Sequence, residues 1–253
     1  MNPSLTYTLF FHPGEVVEIR AYGCKKQNSA WEGWASDIVY GYFDNADDFG
    51  RAAEALDRAG AGGIYFTVNP VNPDLLARAY NRLKAAEKKG TLTTDKDVLV
   101  LRWLLLDLDP IRPKGISSTD DELAAADELR RRISAFLIKE LGFSAGVPGC
   151  SGNGAHMSYR LADLPNTDAN KQMLSTCLKA LAQQFSTDVV DVDEVVFNPA
   201  RIWKLYGTTA RKGDSTERRP HRQSYIEPRW LEPPEPVTEP EPENETEPDE
   251  NAV

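Results

Sequence analysis

Trp103-Leu-Leu-Leu-Asp107-Leu-Asp109-Pro110 is the run from which the rest of this chain can be read. Residues 98–109 are apolar on both faces near the end, as expected of a central strand in a covered sheet. Residues i and i+2 of a strand share a face, so Asp107 and Asp109 point the same way, with α-carbons roughly 6.6 Å apart, and Leu108 faces the opposite layer. Pro110 stops the strand there, leaving both acids at its carboxyl end, where open α/β sheets place ligands. Two carboxylates converging to about 4 Å repel by something like 4 kcal/mol at an effective dielectric near 20, and a divalent cation between them reverses the sign. Oxygen-only ligands favour Mg²⁺ or Mn²⁺ over zinc. Taken alone, Asp-Leu-Asp-Pro also fits a strand that ends in a solvated turn, so the pair needs partners elsewhere.

Working outward, strands and helices alternate in a mixed α+β order. Residues 5–11, 16–22 and 38–43 are rich in aromatic and β-branched side chains and read as strands, with an antiparallel start. Asp44 and Asn45 cap a helix over 46–59 that ends at Gly60, and a strand follows at 64–68. Leu75, Leu76, Ala79 and Leu83 predict a second helix over 74–89, stopping at Gly90. Thr119 and Glu122 are spaced as a capping box opening a helix that ends near Gly142. Residues 156–161 read as a strand. A helix over 167–185 carries Leu174, Cys177, Leu178, Leu181 and Phe185 on one stripe, which puts Cys177 in the core rather than in chemistry.

At 253 residues, 41% hydrophobic and 27% charged, the chain can bury a sizeable core. Cys24, Cys150 and Cys177 are isolated, which argues against a disulfide framework and a zinc site and fits a reducing, cytoplasmic setting. No export signal or membrane span is expected. The net charge of −10 is uneven: nine acids between Glu232 and Glu250 carry almost all of it, leaving the preceding residues near neutral. We therefore divide the chain into a folded domain, 1–226, and a Pro/Glu-rich tail or linker, 227–253, whose composition cannot offset the entropy of ordering.

Two further segments supply partners for the acids. Ser151-Gly-Asn-Gly-Ala-His156 offers small residues that let the backbone approach an anion, Asn153 as a donor, and His156 at the entry to a strand. A lone histidine there is equally a common structural feature. Asp191, Asp193 and Glu194 form a third acidic element. Beyond them, Arg201, Lys204, Arg211, Lys212, Arg218, Arg219, His221 and Arg222 concentrate positive charge late in the fold, which points to phosphate. Interleaved with Trp203 and Tyr206, these residues could also engage a nucleic-acid strand by charge and stacking. An ordinary strand with Trp203 and Leu205 facing the core explains the first part of that run as well.

Asp107-Leu-Asp109, the Gly-Ala-His156 end of the glycine turn, and a hydrophobic residue followed by Asp193 together resemble the three motifs of the archaeo-eukaryotic primase superfamily, in particular the primase-polymerase domains of phages and mobile elements. The similarity runs from about Tyr65 to Arg222. It implies an RRM-like palm, a mixed central sheet flanked by helices, with an N-terminal α/β subdomain. It also implies two divalent cations, Mg²⁺ or Mn²⁺, held by Asp107, Asp109 and Asp193, with Ser151, Asn153, His156, Arg201, Lys204 and Lys212 at the incoming nucleoside triphosphate. The activity implied is template-directed nucleotidyl transfer on single-stranded DNA with a primer, as a DNA primase or polymerase, with a helicase associated through the acidic linker. Two departures stand out. Gly154 occupies the place where the family often has serine, and both Val190-Asp191 and Val192-Asp193 fit the third motif, Asp193 being chosen for its spacing to Phe197-Asn198. Two rival classes are a metal-dependent replication-initiator endonuclease, disfavoured because His12, His156 and His221 are unpaired in sequence, and a non-catalytic RRM-like binding module, for which converging acids would only repel the backbone.

Overall fold

The long strand β7, Val100–Pro110, runs through the centre of the protein, whose computed structural model describes residues 1–86 and 91–227. Ahead of it lie α1 (Ser4–Phe10), β1 (Val17–Tyr22), β2 (Lys26–Asn28), β3 (Trp31–Ala35), β4 (Val39–Phe43), α2 (Ala46–Arg58), β5 (Gly63–Thr67) and β6 (Lys84–Ala85). After it come α3 (Asp120–Leu141), β8 (Val147–Cys150), β9 (Ala155–Pro165), α4 (Asp168–Phe185), β10 (Val190–Val192), β11 (Ile202–Lys204), β12 (Thr209–Ala210), β13 (Arg222–Gln223) and β14 (Tyr225–Ile226). Among the described residues these form a seven-stranded sheet ordered β11-β5-β1-β4-β6-β3-β2, a five-stranded sheet ordered β10-β7-β9-β8-β14, and a β12-β13 ribbon. The first sheet is mixed, since β3 and β6 pair in parallel. The result is a mixed α+β fold with sheets flanked by helices.

The double-sided burial of β7 has a cause on each side. Leu104, Leu106 and Leu108 lie under α3 and α4. Trp103, on the other face, meets Phe10 of α1 with ring centroids 4.6 Å apart, and Phe10 also meets Phe66 of β5 at 5.2 Å. One apolar cluster therefore runs through both sheets, and α1 is the wedge between them. The later helices start as the sequence predicts: Thr119 and Glu122 form the capping box of α3, and the Thr167 hydroxyl accepts the Asn170 amide at the start of α4.

Two expectations fail. Of residues 5–11, all but Phe11, which follows it in extended conformation, lie in the helix α1 and not in a strand. Thr6, Tyr7 and Phe10 are buried at helical spacing, and tertiary contact with Phe49, Phe66 and Trp103 overrides the β-propensity of the residue types. The helix expected over 74–89 is a 3₁₀ turn at Pro73–Arg78 capped by Asn72, followed by β6. The amide of Tyr42 donates to the Ala79 carbonyl and that of Asn81 to the Tyr42 carbonyl, so the segment breaks out of helix to pair with β4. Residues 87–90 of that expected helix, like 228–253 of the acidic tail, lie outside the described residues. Among the described residues no helix is long and apolar enough to cross a membrane.

Candidate active site

A cleft of about 570 Å³, open to solvent, separates the end of β7 from the β5–β11 edge of the seven-stranded sheet. One wall carries Asp107, Asp109, Ser151, Asn153 and His156; the other carries Gly62, Tyr65, Lys204, Ala210, Arg211 and Lys212.

Strand register builds the acidic wall. Asp107 of β7 stands directly opposite His156 of β9, and opposed residues of an antiparallel pair share a face. The His156 Nε2 lies 3.4 Å from Asp107 Oδ1, and the ring stacks on Trp203 at 3.9 Å between centroids. On its far side, Nδ1 is 2.9 Å from the Tyr206 hydroxyl, which in turn accepts from Trp203 Nε1 at 2.9 Å. Trp203 and Tyr206 together fix the ring so that Nε2 faces Asp107. Burial raises the Tyr206 phenol far above its usual range, so it stays protonated. His156, expected at the triphosphate, thus lines the cleft with both nitrogens directed at protein groups.

Burial pushes the Asp107 carboxyl up, but His156, Arg201 and Lys212 outweigh it and hold the group below its usual range. Asp109 moves the other way, raised by desolvation in the concave wall and then by the charge of Asp107, although 49% of its side chain still meets water. The pair is electrostatically strained at neutral pH, as the sequence argument requires of a cation site. Two carboxylates are a suitable oxygen donor set for Mg²⁺ or Mn²⁺. Among the described residues, however, no group of three or more His, Cys, Asp or Glu side chains is arranged to hold a metal ion.

The third acid sits next door. The Asp193 amide donates to the Asp107 carbonyl at 2.9 Å, continuing the β10–β7 ladder one step past Val192 and Leu108. Its carboxylate accepts the Val195 amide at 2.8 Å, and it is raised by burial and by Asp107. Asp191 stands opposite Asp109 in the ladder, and its carboxylate accepts the Ser186 hydroxyl. Neither lines the cleft. Arg201 also lies beside it, its guanidinium donating to the Val195 carbonyl, with a buried Nε that has no hydrogen-bond partner.

The glycine turn is organised from within. The Ser151 hydroxyl accepts the amides of Asn153 (3.3 Å) and Gly154 (2.9 Å). The Asn153 side-chain oxygen accepts the Ser118 amide at 2.9 Å, a backbone donor that fixes the amide's orientation, and so the turn is pinned to the start of α3. Space explains the glycine at 154. A Cβ there would lie 2.6 Å from the Leu108 carbonyl and 2.8 Å from an Asp109 oxygen, so a serine has no room and Ser151 supplies the hydroxyl of the turn.

Lys204 and Tyr65 are register partners on β11 and β5 and share a face, with the ammonium 5.8 Å from the ring centroid. The Lys204 Nζ donates to Thr208 Oγ1 at 2.9 Å and the Thr209 carbonyl at 3.1 Å, and makes no ion pair among the described residues. Burial lowers this lysine from its usual value to about 7, Asp57 opposing and Arg211 adding to the shift. Tyr65 is raised by burial and then by Asp107, with Asp109 contributing, and it lines the same cleft as both acids. Much of the basic run is already neutralised: Arg211 by Asp57, Arg219 by Glu122 and Arg222 by Asp120. Tyr65, Gly62, Ala210 and Ile202 were not expected at the site; β5 and β11 pair to bring Tyr65 and Ile202 together, and the Arg211 amide donating to the Gly62 carbonyl brings the end of β12 beside them.

No protein-family model matches the chain, and no curated protein matches it. Solved structures are similar to it, among them the two that follow. A primase, RepB′, is 13% identical, with 89% of this chain and 54% of that chain covered at a TM-score of 0.42, so this chain spans about half of its length. The polymerase domain of Mycobacterium tuberculosis Ligase D, in complex with DNA, is 16% identical, with 87% of this chain and 78% of that chain covered at a TM-score of 0.46.

Proposed function

We propose that the protein carries out template-directed nucleotidyl transfer, adding nucleotides to a primer on a single-stranded DNA template, as a primase or polymerase does. The observation that supports this most directly is the facing of two strained carboxylates, Asp107 and Asp109, by a buried lysine without a carboxylate partner, Lys204, across one cleft. The first arrangement calls for cations and the second for a polyanion, and a nucleoside triphosphate with divalent cations satisfies both.

Asp107 and Asp109 would hold Mg²⁺ or Mn²⁺, with Asp193 adjoining through the β10–β7 ladder. Bound there, the cations supply activation of a 3′-hydroxyl and charge neutralisation of the triphosphate and pyrophosphate. The remaining work falls to the chain. Lys204 and Lys212 bind the phosphates, and the Asn153 amide, its oxygen held by Ser118, presents its nitrogen at the turn. Arg201 acts from beside the cleft by holding Asp107 ionised. His156 presents Nε2 to Asp107 and is locked in place by Trp203 and Tyr206.

The test is extension of a labelled primer on a template, with ribo- and deoxyribonucleotides supplied separately and Mg²⁺ or Mn²⁺ as the cation. Elongated product is expected only with both cation and nucleotide. Calorimetric titration of nucleoside triphosphate with and without Mn²⁺ separates the non-catalytic reading: affinity for DNA with no cation-dependent affinity for nucleotide would leave a binding module.

A further inference from the structure

Beyond Asp109 the cleft continues into a second groove, of about 380 Å³, which shares Asp109 and Lys212 with the first and is closed on the far side by the loop carrying Arg112, Lys114 and Gly115. We infer that this groove receives the backbone phosphates of the primer strand next to its 3′ end, with the ammonium group of Lys114 as their counter-charge and Lys212, at the boundary, left to the triphosphate. The inference rests on the proposed transfer reaction.

The groove is held in shape by specific contacts. Arg112, with only 6% of its side chain exposed, folds back on its own loop: Nη1 donates to the Pro110 carbonyl at 2.9 Å and faces Asp109 at 3.6 Å, and Nε donates to the Ile116 carbonyl at 3.3 Å. The Ser117 hydroxyl donates to the Lys212 carbonyl, and His221 Nε2 lies 2.8 Å from the Gly213 carbonyl. Where the two segments meet, a Cβ on Gly213, at φ +65°, would come within 2.5 Å of the Gly115 carbonyl, so only glycine permits the approach.

Charge then selects the ligand. With Arg211, Arg219 and Arg222 in ion pairs and Arg112 bonded to its loop, Lys114 and Lys212 are exposed cations without an ion-pair partner among the described residues. Among the described residues the only acid lining the groove is Asp109, which stands at its mouth on the shared wall of the cleft. Geometry favours the primer over the leaving group. Attacking and leaving oxygens lie in line across the reacting phosphorus. If the triphosphate occupies the Lys204 side of the acids, the strand bearing the 3′-hydroxyl enters from the opposite side, along β7 past Asp109 and Pro110, where this groove lies.

The experiment measures DNA binding alone, on the full chain without nucleotide: fluorescence anisotropy of a labelled primed template across a salt series, for wild type, Lys114→Ala and Lys114→Glu. Losing one phosphate contact is expected to reduce the slope of log K against log salt by about 0.7–0.9 for Lys114→Ala, and by more for Lys114→Glu. Nucleotide and pyrophosphate affinities, titrated separately, are expected to stay at the wild-type values. Lys114 is exposed, so unchanged melting of both variants checks that folding is intact. An unchanged salt slope overturns the inference, as does a loss confined to pyrophosphate or nucleotide, which would make the groove a phosphate subsite of the incoming or leaving group. Lys114-dependent DNA binding in a protein that never extends a primer would uphold the groove and refute the transfer reaction.

Discussion

The two walls of the cleft are built in opposite ways. The acidic wall comes from one strand and the turn and strand paired with it, so its groups are neighbours in register; the basic wall draws on β5, β11 and the segment after β12, brought together by hydrogen bonds to Asp57 at the end of α2. Both are electrostatically unfavourable when nothing is bound. Asp109 ionises against Asp107, and Lys204 is buried without a carboxylate partner. A binding site whose walls have opposite frustrations is relieved by a ligand that carries both signs, and stability and function should then move in opposite directions when either wall is altered.

The largest effect is expected from removing the acidic wall. Asp107→Ala combined with Asp109→Ala should reduce primer extension to background while melting stays near wild type or rises; retained extension would show that the acids are not the cation site. On the opposite wall, Lys204→Met should weaken nucleotide binding about tenfold or more while stabilising the fold by about 1–3 kcal/mol, because an apolar chain replaces a buried cation. Its pH dependence gives a second reading. The folded lysine titrates near 7, below its unfolded value, so between those values the unfolded state binds more protons and stability rises with pH. Denaturant titrations of wild type should show that rise and those of Lys204→Met should lose it, while nucleotide affinity in the wild type weakens as pH climbs past 7.

Between the walls, Gly154→Ser should destabilise by about 1–3 kcal/mol through overpacking against Leu108 and Asp109. Tolerance of the serine in a melting curve would mean the turn is looser than its contacts indicate. The smallest change is Asp109→Asn. A carboxyl with a raised folded value contributes stability at low pH that is lost as pH rises through its titration, so the amide should raise Tm at neutral pH by about 2 °C and leave it unchanged in strong acid. The same variant should no longer gain Tm from added Mn²⁺, as the wild type is expected to.

How much of this was legible beforehand follows from the range of the interactions involved. The strand bearing Asp107 and Asp109, the capping box of α3, the start of α4 and the turn at Ser151–His156 are each marked by residue types within a few positions of one another, so they could be read from spacing and residue type even though distant partners complete them. Residues 5–11 could not, because their aromatic content favours a strand while the space between Phe66 and Trp103 favours a helix. The 74–89 segment failed for a similar reason: its apolar spacing suits a helix, but the edge of β4 offers hydrogen bonds that a helix would forgo. The chemistry of the site, carboxylates beside a histidine turn with a basic strand to follow, is inscribed in residue identities and needs no coordinates. Which cations remain free, that Tyr65 joins Lys204, that Gly154 excludes serine, and that His156 is held between Tyr206 and Asp107 depend on pairings between distant segments, and those arise only when sheet register and core packing bring them within hydrogen-bonding distance.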